Sequence, residues 1–199
     1  MNSGELFDSS YILKPGRDDW QIYDEPKPGH EYIVAVDTAH GIEDGDFSCI
    51  QVLDRVGREQ VAEYYARTPP DVVAKQARLV SLFYNNALLI PEIDGPGLAV
   101  IKELLDSDYQ NLFVRNINAS NWTQRYGFRT QSKGERDAII AATAQAIRLE
   151  THVFNSLRLL SEYKVFVETS TRRCEAMPGE HDDAVMAMAI AIYVDSMME

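Results

Sequence analysis

The stretch EYIVAVDTAHGIEDGDFSCIQVLD, residues 31–54, decides how this chain folds. Residues 31–37 are a Val/Ile-rich run that closes on Asp37, and residues 47–54 form a second such run. β-Branched side chains favour extended backbone, so both read as strands. A third run, residues 60–66, follows Arg55-Val56-Gly57-Arg58, a turn that joins the two runs as a hairpin. Downstream, Val73, Ala77, Val80 and Phe83 recur at helical spacing, with Asp71 as the expected N-cap. The all-apolar run 87–90 is a short strand buried on both faces. Gly95-Pro96-Gly97 then breaks the chain before a helix carrying Leu98, Ile101, Leu104 and Leu105.

Residues 112–117 predict a fifth strand, and the polar, aromatic stretch 118–131 a loop or hairpin. Ser132 and Glu135 match a capping box, so a helix starts there and runs through Ile139, Ile140, Thr143 and Ile147. A shorter helix over 155–163, a last strand over 164–168 and an amphipathic helix over 182–198 complete the order. Residues 1–29 are rich in Pro, Gly, Asp and Ser and read as an arm or linker, leaving residues 30–199 as the folded domain. The predicted fold is α/β: a mixed sheet of five or more strands, three antiparallel and then parallel, with helices on both faces. The strand ending at Asp37 is central, with the hairpin strands on one side and the 87–90 strand on the other. The carboxyl ends of those two neighbours then meet at the crevice where open α/β sheets place their ligands.

Three acidic stations fall at the ends of apolar elements: Asp37, Glu92, and the pair Asp182–Asp183. A carboxylate so placed costs desolvation free energy unless a positive group compensates it. Gathered together, they would also repel one another. A hard divalent cation, Mg²⁺ or Mn²⁺, removes both penalties. Two such ions roughly 3.5–4 Å apart form a clamp for in-line attack of water on a phosphodiester. In that reading Asp37 bridges both ions, Glu92 holds one and Asp183 the other. Lys133 and the arginines near it would contact phosphates. Each acid also has a structural alternative. Asp37 can cap a turn, Glu92 can lie on the surface, and Asp46 and Asp94 suit turns. Asp182 is placed as a helix N-cap, and His181 as a helix-entry or supporting group.

Composition narrows the class. The 199 residues suit one domain with a real core, and a 45% hydrophobic share excludes wholesale disorder. No apolar run approaches the ~20 residues of a membrane span, and no signal-peptide pattern opens the chain. Two cysteines, Cys49 and Cys174, lack metal-ligand spacing and read as reduced intracellular thiols. The net charge of −12 argues against tight nonspecific binding to nucleic acid. A basic stretch, Arg115, Arg125, Arg129, Lys133 and Arg136, with a second cluster at Arg172–Arg173, suits transient phosphate contact or ordinary solvated surface.

Four segments carry a family resemblance: VAVDTAHG with GDFSCIQV (34–41 and 45–52), LLIPEIDGPG (88–97), YGFRTQSKGERDAII (126–140) and GEHDDAVMAMAIA (179–191). In this order they resemble the nuclease domain of the large terminase subunit of tailed bacteriophages. The resemblance covers roughly residues 30–195, with the HDDAVMA and GFRT…K segments its most specific parts. It implies a ribonuclease-H-like fold, as in retroviral integrases, and a metal-dependent endonuclease that cuts concatemeric viral DNA. The family's acidic triad falls on Asp37, Glu92 and Asp183, with Asp182 as an auxiliary acid and metal ligand. Lys133, Arg129, Arg125 and Arg136 are the corresponding candidates for DNA contact. The implied partners are double-stranded DNA, the terminase ATPase domain, the small terminase subunit and the portal, at the assembly site in the host cytoplasm.

No phosphate-binding loop G-x-x-x-x-G-K-[ST] occurs, so the chain looks like the nuclease part alone and is not expected to hydrolyse ATP or translocate DNA. Two alternatives stay open. An actin-like phosphotransferase or ATPase also begins with three hairpin-connected strands, although it needs a second, duplicated domain. A catalytically inert module that binds DNA or the portal would share the fold and lack turnover.

Overall fold

The computed structural model describes residues 19–43, 45–170 and 173–198. Its main sheet has five strands: β1 (Trp20–Ile22), β2 (Tyr32–Asp37), β3 (Ser48–Asp54), β4 (Glu59–Ala66) and β5 (Leu88–Pro91). Their spatial order is β1-β4-β3-β2-β5. The first four pair antiparallel, and β5 runs parallel to β2 with Val36 opposite Pro91. The central position expected for the strand ending at Asp37 is therefore the observed one.

Period-two alternation on β2 builds two cores. Tyr32, Val34 and Val36 face one side with Leu89, beneath helices α1 (Pro70–Phe83) and α2 (Gly97–Asp106). Ile33 and Ala35 face the other with Ile90, beneath α4 (Lys133–Arg148), α5 (Leu157–Val165) and α6 (Asp183–Met197). A fully buried run such as β2 is possible only because helices cover both faces. A one-turn helix, α3 (Trp122–Arg125), lies between α2 and α4.

Several expectations are corrected. Residues 20–22, read as part of an arm, form an edge strand, because Trp20 is buried against Tyr64 and its indole N–H donates to Gln76. Residues 1–18 and Arg172 lie outside the described residues. Asp71 does not cap α1: Pro69 holds that position and Pro70 starts the helix, its missing N–H costing nothing there. Residues 112–117 make isolated bridges rather than a strand. Leu112 pairs with Leu89, but then the amides of Arg115 and Asn116 both turn to the Arg125 carbonyl. The last predicted strand, observed as β6 (Phe166–Glu168), joins β7 (Cys174–Ala176) in a separate two-stranded ribbon. Finally, α6 is not amphipathic. Every residue from Asp183 to Ile192 is buried, since the sheet covers one side and α4 and α5 the others.

Close approach at the start of α2 makes one glycine irreplaceable. A Cβ at Gly97 would stand 1.8 Å from the Glu92 carbonyl oxygen and 2.8 Å from its carbon. Both are backbone atoms, so the Glu92 segment itself must move. Gly97→Ala is expected to cost about 1–3 kcal/mol, measured by urea denaturation, and to disturb the side chain of Glu92.

Candidate functional site

Parallel pairing of β2 and β5 brings the first two acids together. The Glu92 amide donates to the Val36 carbonyl at 2.8 Å, which continues the ladder one step past the strands and sets Glu92 beside Asp37. The third and fourth acids arrive with α6. Asp37, Glu92, Asp182 and Asp183 all line one cavity of about 360 Å³, together with Thr38, Asp46, Arg136 and Arg173.

The electrostatics are strained. Burial pushes the Asp37 carboxyl well above the usual carboxylate range, and the negative charge of Glu92 adds to the effect. Burial raises Glu92 as well, although its hydrogen bond with Asp37 opposes the rise. Burial and mutual repulsion together favour keeping a proton between the two carboxyls. Asp183 is pushed up to about 8, first by burial and then by the charges of Asp37 and Asp46.

Each acid has a holder. Glu92 accepts a hydrogen bond from the Thr130 hydroxyl. Asp94 accepts from the amides of Thr130 and Gln131, both at 2.9 Å, which anchors that loop. Asp183 accepts from the Phe47 amide at 3.4 Å and the Tyr65 hydroxyl at 3.3 Å. Asp182 occupies the N-cap position of α6, yet its side chain makes no capping bond. Arg136 draws it away, with Nη2 3.3 Å from Asp182 Oδ2. The cap comes instead from Glu162 on α5, whose Oε2 accepts from the amides of Ala184 (2.8 Å) and Val185 (3.2 Å). Burial raises the Glu162 carboxyl to about 8, while those amides pull it down.

Of the four predicted phosphate contacts, only Arg136 lines the cavity, and it is committed to Asp182 and to the Cys174 carbonyl. Lys133 is 74% exposed and pairs with Asp137. Arg129 lies 3.9 Å from Asp94. Arg125 is held by the Ile117 carbonyl and sits over the Tyr126 ring. His181 stands 3.6 Å from Asp183 and 3.9 Å from Asp46. Sequence reasoning missed Thr130, Tyr65 and Glu162, whereas Arg173, from the second basic cluster, lines the cavity. Thr130 lies inside the GFRT segment, but a holder on another element, such as Glu162, leaves no local pattern.

The donor set suits a hard cation. It consists of carboxylate oxygens with raised affinity for positive charge, and the buried Thr38 hydroxyl beside them has no hydrogen-bond partner. Among the described residues, however, no three acidic, histidine or cysteine side chains already converge on one point. The reason is visible in the contacts: Asp183 is turned to Phe47 and Tyr65, and Asp182 to Arg136.

No protein-family model and no curated protein sequence matches the chain. Solved structures do match. The large terminase nuclease of thermophilic phage G20c, crystallised with bound magnesium, aligns with a TM-score of 0.72 and 20% identity over 96% of this chain and 95% of that one. The same nuclease with bound cobalt gives the same values. The nuclease domain of the large terminase of Thermus phage P74-26 aligns with a TM-score of 0.66 and 22% identity, covering 88% of this chain and 85% of that one. The ribonuclease-H-like fold expected from the four segments is thus the fold observed. No helix among the described residues is long and apolar enough to cross a membrane.

The raised carboxyls set the pH dependence of stability. Asp183 ionises in the unfolded chain from its ordinary 3.8, but in the folded protein only near 8. Its contribution to stability is therefore complete below the lower value and is lost as pH climbs through the upper one. In chelator, Asp183→Asn is expected to melt above the parent at pH 8, with the gap closing towards pH 4, by calorimetry.

Proposed function

We propose that this chain is the nuclease part of a phage large terminase, a divalent-metal-dependent endonuclease acting on double-stranded DNA. The observation that carries the reading is the meeting of Asp37, Glu92 and Asp183 in one cavity, from two adjacent parallel strands and the head of the buried helix α6. The shared fold with terminase nucleases supports it.

In this reading Asp37, Glu92 and Asp183 would hold the Mg²⁺ or Mn²⁺ ions, with Asp183 steadied by Tyr65 and Phe47. Asp182 stays with Arg136 as the auxiliary acid. Two bound ions would supply positive charge at the phosphoryl oxygens and activation of the attacking water. The protein's own residues position these groups. Thr130 orients Glu92, Glu162 seats the start of α6, and the cavity gives the substrate a polar, partly desolvated wall. No side chain need act as a nucleophile. Lys133, Arg129 and Arg125 lie outside the cavity and would meet flanking phosphates, whereas Arg136 serves the acids first.

The working unit is residues 30–199 together with the edge strand at 20–22, which pairs with β4. In a terminase, the ATPase domain, small subunit and portal would keep DNA near this acidic domain, in the host cytoplasm where virions assemble. Phosphate contacts carry no sequence information, so cutting is of low sequence specificity.

The test is cleavage of supercoiled plasmid. Mg²⁺ or Mn²⁺ should support nicking and linearisation, EDTA should abolish them, and Asp37→Asn should lower the rate by at least ~10²-fold. ATP turnover without DNA would instead favour the actin-like reading, and DNA binding without cleavage in any metal the inert module. A single dominant cut motif in a sequenced digest of naked DNA would contradict low specificity.

A further inference from the structure

Behind Asp183, next to the cavity lining, packs a layered stack that the basic stretch at 115–136 does not include. The guanidinium of Arg67 lies over the Phe47 ring, 4.1 Å from its centroid. Phe47 stacks on Tyr65 with centroids 4.4 Å apart. Arg158 closes the stack over Tyr65, also at 4.1 Å. Both aromatic residues are those that hold Asp183, one through its amide and the other through its hydroxyl.

The two arginines differ in their bonding. Arg158 is spent on the buried carboxylate of Glu63, 2.8 Å away. Arg67 is exposed and meets no carboxylate among the described residues. Its Nε donates to the Gly45 carbonyl at 2.7 Å, one residue from Asp46, which lines the cavity. Ring contact and hydrogen bond together fix the plane of the guanidinium, and neither Nη group bonds a described residue. An arginine so held loses little further entropy when it forks onto a phosphate. The setting favours such a role: among the described residues, seven carboxylates line the cavity (Asp37, Asp46, Glu92, Glu175, Glu180, Asp182, Asp183), and the arginines there, Arg136 and Arg173, are each paired with a carboxylate. A polyanion entering so acidic a cavity needs an uncommitted cation close to it.

We infer that Arg67 is a substrate-positioning residue that clamps a backbone phosphate of the DNA strand flanking the scissile bond. The Phe47–Tyr65 stack ties that clamp mechanically to Asp183, so strand placement and the third acid share one support. This inference rests on the nuclease reading above.

The test uses the full chain and a labelled DNA duplex, with binding followed by anisotropy in Ca²⁺ and cleavage in Mn²⁺. Arg67→Gln should weaken duplex binding about tenfold. It should also reduce the slope of log affinity against log salt by about one, the signature of one lost phosphate contact. The loss should appear in KM more than in kcat, and Arg67→Glu should bind more weakly still at an unchanged Tm. Duplexes bearing one neutral methylphosphonate linkage test the clamp without altering the fold: one flanking position should weaken the parent and leave Arg67→Gln unaffected. Unchanged affinity and salt slope in Arg67→Gln, while the parent still cuts, would overturn the inference and leave the nuclease reading intact. So would a linkage scan in which no position distinguishes the two proteins. A parent chain that neither binds nor cuts DNA would overturn both.

Discussion

Repulsion among carboxylates at the carboxyl end of the sheet is the constraint around which this molecule is arranged. Asp37 and Glu92 are forced together by strand pairing, which leaves them no freedom to separate. Asp183 is delivered to the same cavity by a helix that cannot shift, because it is buried on all sides. In water such charges would ionise independently; here burial and proximity raise all three. A folded domain keeps such an arrangement only if its scaffold outweighs the repulsion.

The scaffold does so through polar contacts buried behind the acids. Gln60 donates to Gln51, and Gln51 to Glu63, within the β3–β4 pair. Gln60 also accepts from the amides of Asn155 and Ser156, which fixes the start of α5. From that fixed helix Glu162 reaches the first amides of α6. At the far end of α6, Arg55 bonds the buried Asp195 at 2.7 Å and also pairs with Glu31. The helix that carries Asp183 is thus pinned at both ends by groups from other elements. Each neutral bond is worth only about 0.5–1.5 kcal/mol and each bond to a charged group about 1.5–3, but leaving any of these buried groups unpaired would cost about 1–3 kcal/mol or more. The network therefore specifies one position for α6.

Charge distribution makes sense in the same terms. A chain of net charge −12 gains little from nonspecific attraction to DNA. Of its cavity-lining arginines, Arg136 is internal to the acidic cluster, where it offsets Asp182 and lowers the cost of Asp37 and Glu92. In the proposed nuclease, charge compensation at the reacting phosphate would therefore fall to bound cations, and side chains would orient rather than neutralise.

The sequence by itself determined four of the five main-sheet strands and the central place of the one ending at Asp37, between the hairpin strands and the strand before Glu92. β-Branched runs, turn residues and helical periodicity are local properties, and the pairing of β2 with β5 follows from them. It also disclosed the capping box at Ser132, where Glu135 donates its amide to the serine hydroxyl. The tertiary structure decided what depends on neighbours distant in sequence. The 112–117 segment looks like a strand until Arg125 competes for its amides. Asp182 looks like a cap until Arg136 bonds it and Glu162 caps in its place. Helix α6 looks two-faced until three layers close over it, and Arg67 acquires a fixed orientation only when Phe47 packs beneath it. Such roles are set by competition for hydrogen bonds and buried surface, and that competition is settled only after the elements pack.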